Sequence, residues 1–208
     1  MKTAVFDFDG TLADTEGLLF ETAQHLLGRA LTKEDISQYR ILRDKEFLEY
    51  LGVGKLQALF LYKKGKKYFE RRLDSVTLFD GVVSMLEDLS DDCKVGVLSK
   101  NDKEIIRPIL ERENVAQHIE FIEHSSFMKS KYRTLLGVSR SYQDVVYVGD
   151  QVGDIEAAQN CDIPSIGVTW GHHAPEFLEE YEPDALVDSV DALHSALQSL
   201  CDRKSPSS

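Results

Sequence analysis

The chain has 208 residues, of which 42% are hydrophobic, and a formal net charge of −12. This length and apolar content suit one α/β core with a small insertion. A chain of this charge is repelled by nucleic acid and by anionic membranes, so we expect neither as a partner. No apolar run approaches the length of a membrane span, and two acids inside the first strand make a signal peptide a poor fit.

The three cysteines, Cys93, Cys161 and Cys201, show no CxxC spacing. This pattern predicts reduced thiols and a cytoplasmic protein, and it argues against a disulfide framework or a zinc site.

The first predicted element is a short buried strand, Ala4 to Phe6, which ends in two acids. Asp7 and Asp9 are one residue apart, so their side chains point to the same side, and Gly10 can turn the chain after them. Two acids this close repel each other, and a divalent cation held by oxygen ligands commonly relieves the repulsion. A carboxylate beside Mg²⁺ can also attack phosphorus and form an aspartyl-phosphate, while its crowded neighbour keeps a proton to donate. The alternative is a polar turn with solvated acids.

Residues 15 to about 78 carry only helical signals, including helices over Glu16–Leu27 and Lys55–Leu73 and a capping box over Thr32–Asp35. This block holds twelve Lys and Arg against nine Asp and Glu, so it is basic, whereas the remainder is strongly acidic. A basic helical insert over an acidic body suggests a lid that supplies cations to an anionic substrate. The candidates are Arg40, Arg43 and Lys45, whereas the run from Lys63 to Lys67 reads as a solvated helix face.

The α/β alternation resumes at Asp80. Five strands are predicted with helices between most of them. The predicted elements are helix Val82–Leu89, strand Lys94–Leu98, helix Asp102–Glu111, strand Ile119–Ile122, a helix through Leu135 and Leu136, strand Val145–Val148, helix Ile155–Asn160, strand Ser165–Val168, strand Ala185–Val187 and helix Val190–Leu200. Such alternation predicts a parallel sheet, and ligands of open parallel sheets bind beyond the carboxyl ends of the strands.

Polar residues follow several of these strands. Ser99, Lys100 and Asn101 come at the start of a helix, where a hydroxyl and free backbone N–H groups can hold a phosphate. Lysine at a helix start opposes the helix dipole, so Lys129 or Lys131 is expected to neutralise charge at the site.

Acids recur after the strand Val145–Val148. Asp150 and Asp154 flank a turn that opens a helix, and their oxygen ligands suit Mg²⁺. His172 and His173 follow a later strand. Because no third nitrogen or sulfur ligand is near them in the sequence, we interpret the pair as part of a structural or substrate-edge loop.

Taken together, these residues resemble the haloacid-dehalogenase-like hydrolase superfamily, and specifically its phosphatases, over the whole chain. The resemblance is carried by the motif Asp7-Phe8-Asp9-Gly10-Thr11, by Ser99, by Lys129 and by Gly149-Asp150 with Asp154. It implies a Rossmann-like parallel α/β core over 1–14 and 79–208 and a small α-helical cap over 15–78, inserted after the first strand. Serine and tyrosine stand where the family often has prolines after its lysine, which leaves Lys129 and Lys131 as alternatives.

The resemblance also implies roles and a cofactor. Asp7 is expected to be the nucleophile and a Mg²⁺ ligand, and Asp9 the general acid/base that also binds Mg²⁺ through its carbonyl. Asp150 and Asp154 complete the metal site, and Lys129 ties Asp7 to the transferred group. The candidate phosphate-binding residues are Gly10, Thr11, Ser99, Lys100 and Asn101.

The implied function is a Mg²⁺-dependent, phosphoglycolate-phosphatase-like hydrolase of a small phosphorylated metabolite, working as a monomer or weak dimer. Two alternatives stay open. A phosphosugar mutase of the β-phosphoglucomutase type would share the phospho-aspartate. A receiver-like signalling module would also carry acids, a hydroxyl and a lysine at strand ends, but receivers are shorter and have no helical insert after the first strand.

Overall fold

A six-stranded sheet forms the centre of a computed structural model that describes residues 1–126 and 130–202. Its strands are β1 (Thr3–Phe6), β4 (Lys94–Ser99), β5 (Phe121–His124), β6 (Val145–Gly149), β7 (Ser165–Val168) and β8 (Ala185–Val187), and a separate pair is formed by β2 (Ala13–Asp14) and β3 (Thr77–Leu78). The order across the large sheet is β5, β4, β1, β6, β7, β8, with parallel pairing throughout. The predicted parallel α/β fold is confirmed.

Ten α-helices lie in the described part of the chain. They are α1 (Glu16–Leu27), α2 (Lys33–Tyr39), α3 (Asp44–Tyr50), α4 (Lys55–Glu70), α5 (Val82–Asp92), α6 (Lys103–Arg112), α7 (Lys131–Ser141), α8 (Val152–Gln159), α9 (Pro175–Glu179) and α10 (Val190–Asp202). Two short 3-10 turns cover Leu73–Ser75 and Ala116–His118. None of the helices in these described ranges is both long and apolar enough to cross a membrane.

Both faces of the sheet are covered, which explains the uninterrupted apolar runs of its central strands. Alternate residues of β1 point to opposite faces. Ala4 and Phe6 pack in one cluster with side chains of α5, α6 and α10. Val5 packs on the other face with side chains of α7 and α8. Since β1 is buried on both sides, its polar residues are confined to the point where the strand ends.

The helices α1 to α4, here called the helical insert, lie between β2 and β3 in the chain. These two strands pair antiparallel, so the chain leaves and returns at adjacent points. Within the insert, α1 packs on α4, and a Cβ placed on Gly65 would lie 3.0 Å from Leu26 Cδ1. The glycine that weakens α4 in isolation therefore permits its close approach to α1. The division into a core over 1–14 and 79–208 and a cap over 15–78 stays a prediction.

The expectation of reduced cysteines is wrong for one residue. Cys93, at the end of α5, is disulfide-bonded, whereas Cys161 is a free thiol. The absence of CxxC spacing does not exclude a disulfide, because bonded cysteines can lie far apart in the chain.

Candidate active site

The carboxyl ends of three neighbouring strands meet at one edge of the sheet. β1 lies between β4 and β6, and Phe6 is in register with Val97 on one side and Val148 on the other. This register places Asp7, which follows β1, between the ends of the two adjacent strands. Ser99 ends β4, and Asp150 follows β6, so the structure brings these predicted residues together.

Three buried acids form a cluster at this edge. Carboxylate oxygens of Asp7, Asp150 and Asp154 lie within 4.8 Å of one another. Asp154 sits in the first turn of α8 and accepts a hydrogen bond from the backbone N–H of Gln151 at 3.0 Å. A Cβ on Gly149 would overlap the Asp154 side chain, so glycine is required where the two approach. Oxygen ligands in this arrangement fit Mg²⁺.

A lysine lies against this cluster. Lys131 Nζ donates to Asp7 Oδ2 at 2.7 Å and also contacts Asp154 Oδ1. The hydroxyl of Tyr147 lies 3.2 Å from the same Asp154 oxygen. Lys131 is the first residue of α7, whose N-cap is Ser130. Of the two lysines left open by the sequence, Lys131 therefore contacts the acids, while Lys129 lies outside the described residues.

Burial and charge perturb the pKa values of this pair strongly. Burial raises the pKa of Asp7 to about 7, with Asp154, Asp150 and Asp9 adding to the rise and Lys131 opposing it. Burial opposes the charge of Lys131, but Asp154 and Asp7 outweigh it and hold the lysine pKa well above its usual value. The neighbourhood of Asp7 thus favours added positive charge even with Lys131 in place.

The Asp9 side chain faces the end of β4 instead of the acid cluster. Asn101 Nδ2 donates to Asp9 Oδ1 at 3.0 Å and to Asp9 Oδ2 at 2.8 Å, and Ser99 Oγ donates to Asp9 Oδ2 at 3.3 Å. Burial raises the pKa of Asp9, an effect that the nearby His172 partly offsets. Two predicted phosphate-binding side chains are therefore bonded to the predicted acid/base in this structure.

Asp150 is held on both of its oxygens. Thr11 Oγ1 donates to Oδ1 at 2.9 Å, and the backbone N–H of His172 donates to Oδ2 at 2.8 Å, with His172 Nδ1 also 2.8 Å from Oδ2. Burial opposes the charge of Asp150, but His172 and Thr11 outweigh it and lower its pKa to about 2. Burial likewise opposes the charge of His172, and Asp150 outweighs it, raising the histidine pKa to about 9.

The motif residues next to Asp9 support the loop. Gly10 adopts a φ of 75°, a conformation that favours glycine, and its N–H donates to the carbonyl of Ala13 at 2.9 Å. Thr11, predicted to bind phosphate, has its hydroxyl on Asp150. The sequence missed the contacts of Thr11 and His172 with Asp150, because no local spacing links residues so far apart in the chain.

Two of the three predicted cationic residues of the helical insert form ion pairs with acids. Arg40 pairs with Glu16 at 2.7 Å, and Arg43 pairs with Glu156 of α8 at 2.6 Å. Lys45 is exposed.

Lys100, predicted to bind phosphate, contacts Asp44 at the start of α3 and lies 3.5 Å from Gln151 Oε1. In this structure the helical insert therefore supplies an acid, Asp44, to the rim of the site.

The family of the chain follows from comparison with known proteins. A sequence model described as haloacid dehalogenase-like hydrolase matches residues 4–168. The chain belongs to this family. The predicted family membership and hydrolase class are confirmed.

Its similar relatives are named as phosphatases of two kinds. A phosphoglycolate phosphatase of Synechococcus elongatus is 28% identical, with 96% of this chain and 99% of that protein covered. A pyrophosphatase, PpaX, of Listeria innocua is 23% identical, with 93% of this chain and 94% of that protein covered. A crystal structure of a predicted phosphatase from Clostridium acetobutylicum has the same fold, with a TM-score of 0.84, 22% identity and coverage of 95% and 98%.

The pKa values predict how the stability of the metal-free protein depends on pH. Asp7 and His172 have folded pKa values of about 7 and about 9, above their ordinary values of 3.8 and 6.5. A group whose pKa is raised on folding favours the folded state below its ordinary pKa and loses that contribution as pH rises through the folded value. In EDTA, the melting temperature should therefore fall as pH rises from about 3.8 to about 7, where Asp7 loses its proton, and again from about 6.5 to about 9, where His172 does.

Two variants separate the contribution of Asp7 to this pH dependence from the contributions of other groups. Asp7→Asn should remove the fall in melting temperature that occurs as pH rises to about 7. Thermal melts across a pH series in EDTA measure this. The exposed Asp88 on α5 provides the control Asp88→Asn, which should keep the wild-type profile. A wild-type profile that does not change over this range would contradict the assigned environment of Asp7.

Proposed function

We propose that the protein is a Mg²⁺-dependent phosphatase that hydrolyses a small organic phosphomonoester through an aspartyl-phosphate on Asp7. The convergence of the buried Asp7, Asp150 and Asp154 carboxylates beside Lys131 supports this proposal most strongly. An acid that is to attack phosphorus needs its own charge and a nearby cation that offsets the phosphoryl charge. This edge of the sheet offers both.

The donor set fits Mg²⁺. The carboxylates of Asp7, Asp150 and Asp154 would hold the ion, and the family resemblance adds the backbone carbonyl of Asp9. When bound, Mg²⁺ supplies positive charge that offsets the phosphoryl oxygens and the crowded acids. The raised pKa of Asp7 independently indicates a neighbourhood that favours such charge.

In the first step, an Asp7 oxygen attacks phosphorus, an O–P bond forms, and the ester P–O bond breaks. Two donors orient the nucleophile, since Phe8 N–H donates to Oδ1 at 2.8 Å and Lys131 Nζ donates to Oδ2 at 2.7 Å. Lys131 also favours the ionised form of Asp7. The departing oxygen takes a proton from Asp9, whose pKa is raised by burial, so that it can carry that proton.

In the second step, water attacks the phosphorus of the aspartyl-phosphate and gives a proton to Asp9. The Asp7 O–P bond breaks and inorganic phosphate leaves. Asn101 and Ser99 hold both Asp9 oxygens, and such bonds set the direction in which the carboxyl delivers and receives protons. The cycle restores both acids to their starting states.

For the substrate, we propose a phosphomonoester with a second anionic group, such as phosphoglycolate. The name of the Synechococcus relative supports this. Lys100 also supports it, because its ammonium lies beside the site and its ion pair among the described residues is with a half-exposed carboxylate, Asp44. A panel of phosphorylated metabolites that includes phosphoglycolate, pyrophosphate and sugar phosphates tests this choice by phosphate release.

The same panel addresses the alternatives. A phosphosugar mutase would return the phosphoryl group and yield an isomerised sugar phosphate, so product analysis distinguishes it from a phosphatase. The family match disfavours a receiver-like module. A long-lived aspartyl-phosphate without turnover would revive that reading.

Replacing the nucleophile tests the proposed chemistry directly. Asp7→Asn should lower kcat by about 10⁴-fold or more, because an amide oxygen does not form the acyl-phosphate. The measurement is release of phosphate from an aryl phosphate with Mg²⁺, and the exposed Asp88→Asn is the matched control that should retain activity. Wild-type turnover by Asp7→Asn would overturn the assignment.

The choice between the two lysines can be settled by a pair of variants. Lys131→Met removes the donor at 2.7 Å from Asp7 Oδ2 and should lower kcat by about 10²–10³-fold. Lys129→Met should have a much smaller effect if Lys131 is the active-site lysine. If Lys129→Met lost activity and Lys131→Met kept it, the role would belong to Lys129 instead. Thermal melts of both variants check that they fold.

A further inference from the structure

The loop formed by residues 171–174 lies between the helical insert and the candidate metal ligand Asp150. On one side, Arg40 of the insert donates from Nη1 to the carbonyl of Gly171 at 3.3 Å, and Ala174 N–H donates to the carbonyl of Arg40 at 2.9 Å. On the other side, the backbone N–H of His172 donates to Asp150 Oδ2 at 2.8 Å. One short loop therefore contacts both the insert and the acid.

His172 joins the two sides through its ring. The residue is only 2% exposed, and its Nδ1 is 2.8 Å from Asp150 Oδ2. The ring meets Tyr39 at the end of α2 in an edge contact, with 5.7 Å between centroids. Tyr39 in turn packs on Phe20 and Phe47 of the insert, at 5.5 and 5.1 Å. The imidazole thus connects an aromatic cluster of the insert to one oxygen of the acid.

The position of that oxygen matters for metal binding. Asp150 is fully buried, and among the described residues its two oxygens are held by Thr11 and His172. A carboxylate that is fixed by outer hydrogen bonds loses little freedom when it binds an ion, and loss of such partners typically costs about 10–100-fold in metal affinity. If the insert moves, the Tyr39 and Arg40 contacts with the loop change, and with them the support of Asp150.

We propose that His172 is a positioning residue that couples docking of the insert segment Tyr39–Arg40 to the orientation of Asp150, and through it to Mg²⁺ affinity. This inference rests on the proposed Mg²⁺ site. Coupling of two binding events is reciprocal. Docking of the insert therefore strengthens Mg²⁺ binding, and bound Mg²⁺ strengthens docking of the insert.

Two substitutions of His172 separate its two contacts. His172→Asn keeps an amide donor near the position of Nδ1 but removes the ring from Tyr39. His172→Phe keeps a ring against Tyr39 but removes the side-chain donor to Asp150. Tyr39→Leu weakens the same contact from the insert side. Phe60→Leu, at an exposed aromatic on α4, is the control for a general effect of changing the insert.

The test is Mg²⁺ binding to the 208-residue chain by titration calorimetry, without substrate. Both His172 variants lose the same cation beside the site and differ in the donor to Asp150, so His172→Phe should bind Mg²⁺ about 10–100-fold more weakly than His172→Asn. Tyr39→Leu keeps the charge of His172 and should raise the Kd above that of the wild type. Its effect should be smaller in the His172→Asn background, because both substitutions remove one contact. Phe60→Leu should match the wild type.

Hydrogen exchange measured by mass spectrometry gives a second readout that needs no variant. In the wild-type protein, Mg²⁺ should slow exchange in peptides covering residues 39–40, although they belong to the insert and contribute none of the proposed ligands. It should leave the exchange of peptides around the exposed residues 56–60 unchanged.

The outcomes separate the inference from the function on which it rests. If the wild-type protein binds no Mg²⁺, the proposed metal site fails and the coupling fails with it. If the wild type binds Mg²⁺ but Tyr39→Leu binds it equally well and residues 39–40 show no protection, the metal site stands and the coupling is overturned. A higher Kd for Tyr39→Leu, together with Mg²⁺-dependent protection of residues 39–40 from hydrogen exchange, supports the coupling even if His172→Phe does not fold.

Discussion

Like charges crowded at one buried edge of the sheet are the constraint on which the rest of this molecule depends. Asp7, Asp150 and Asp154 are close enough to share one ion and are almost fully buried. Lys131 and His172 contact them, but two cations do not neutralise three ionised acids. Unbalanced charge in a buried place is costly. The edge therefore favours additional positive charge, as the proposed metal site and phosphoryl chemistry require.

The parallel sheet creates this crowding because of its strand order. With β1 between β4 and β6, the residue after β1 has polar neighbours on both sides, Ser99 and Asp150. The strands themselves are apolar on both faces, so polar groups are confined to the strand ends. The same arrangement that gives the sheet its core therefore collects acids, hydroxyls and a lysine at a single edge.

The strand ends could be read from the sequence, because each is an apolar run followed at once by polar residues, as in Val145–Val148 and then Asp150. The sequence could not choose between Lys129 and Lys131, since both lie near a helix start and only three-dimensional placement decides. It also named Arg43 as a candidate for contact with the substrate, but it could not show that Arg43 pairs with Glu156. Charge patterns report which ions a segment carries, but their partners depend on how distant segments pack.

The contacts between the helical insert and the sheet explain how one structure can hold the site together and still admit a substrate. Ion pairs link the two parts through Arg43 with Glu156, Lys66 with Asp102 and Lys100 with Asp44, and the side chains involved are a third to a half exposed. Solvent-exposed pairs of this kind contribute only about 0.2–1 kcal/mol each. Pairs that are this weak and this screened by solvent add little to the cost of separating the insert from the sheet. The basic character of the insert thus serves its docking on an acidic body, and the loop that carries His172 lies where that docking meets the acids.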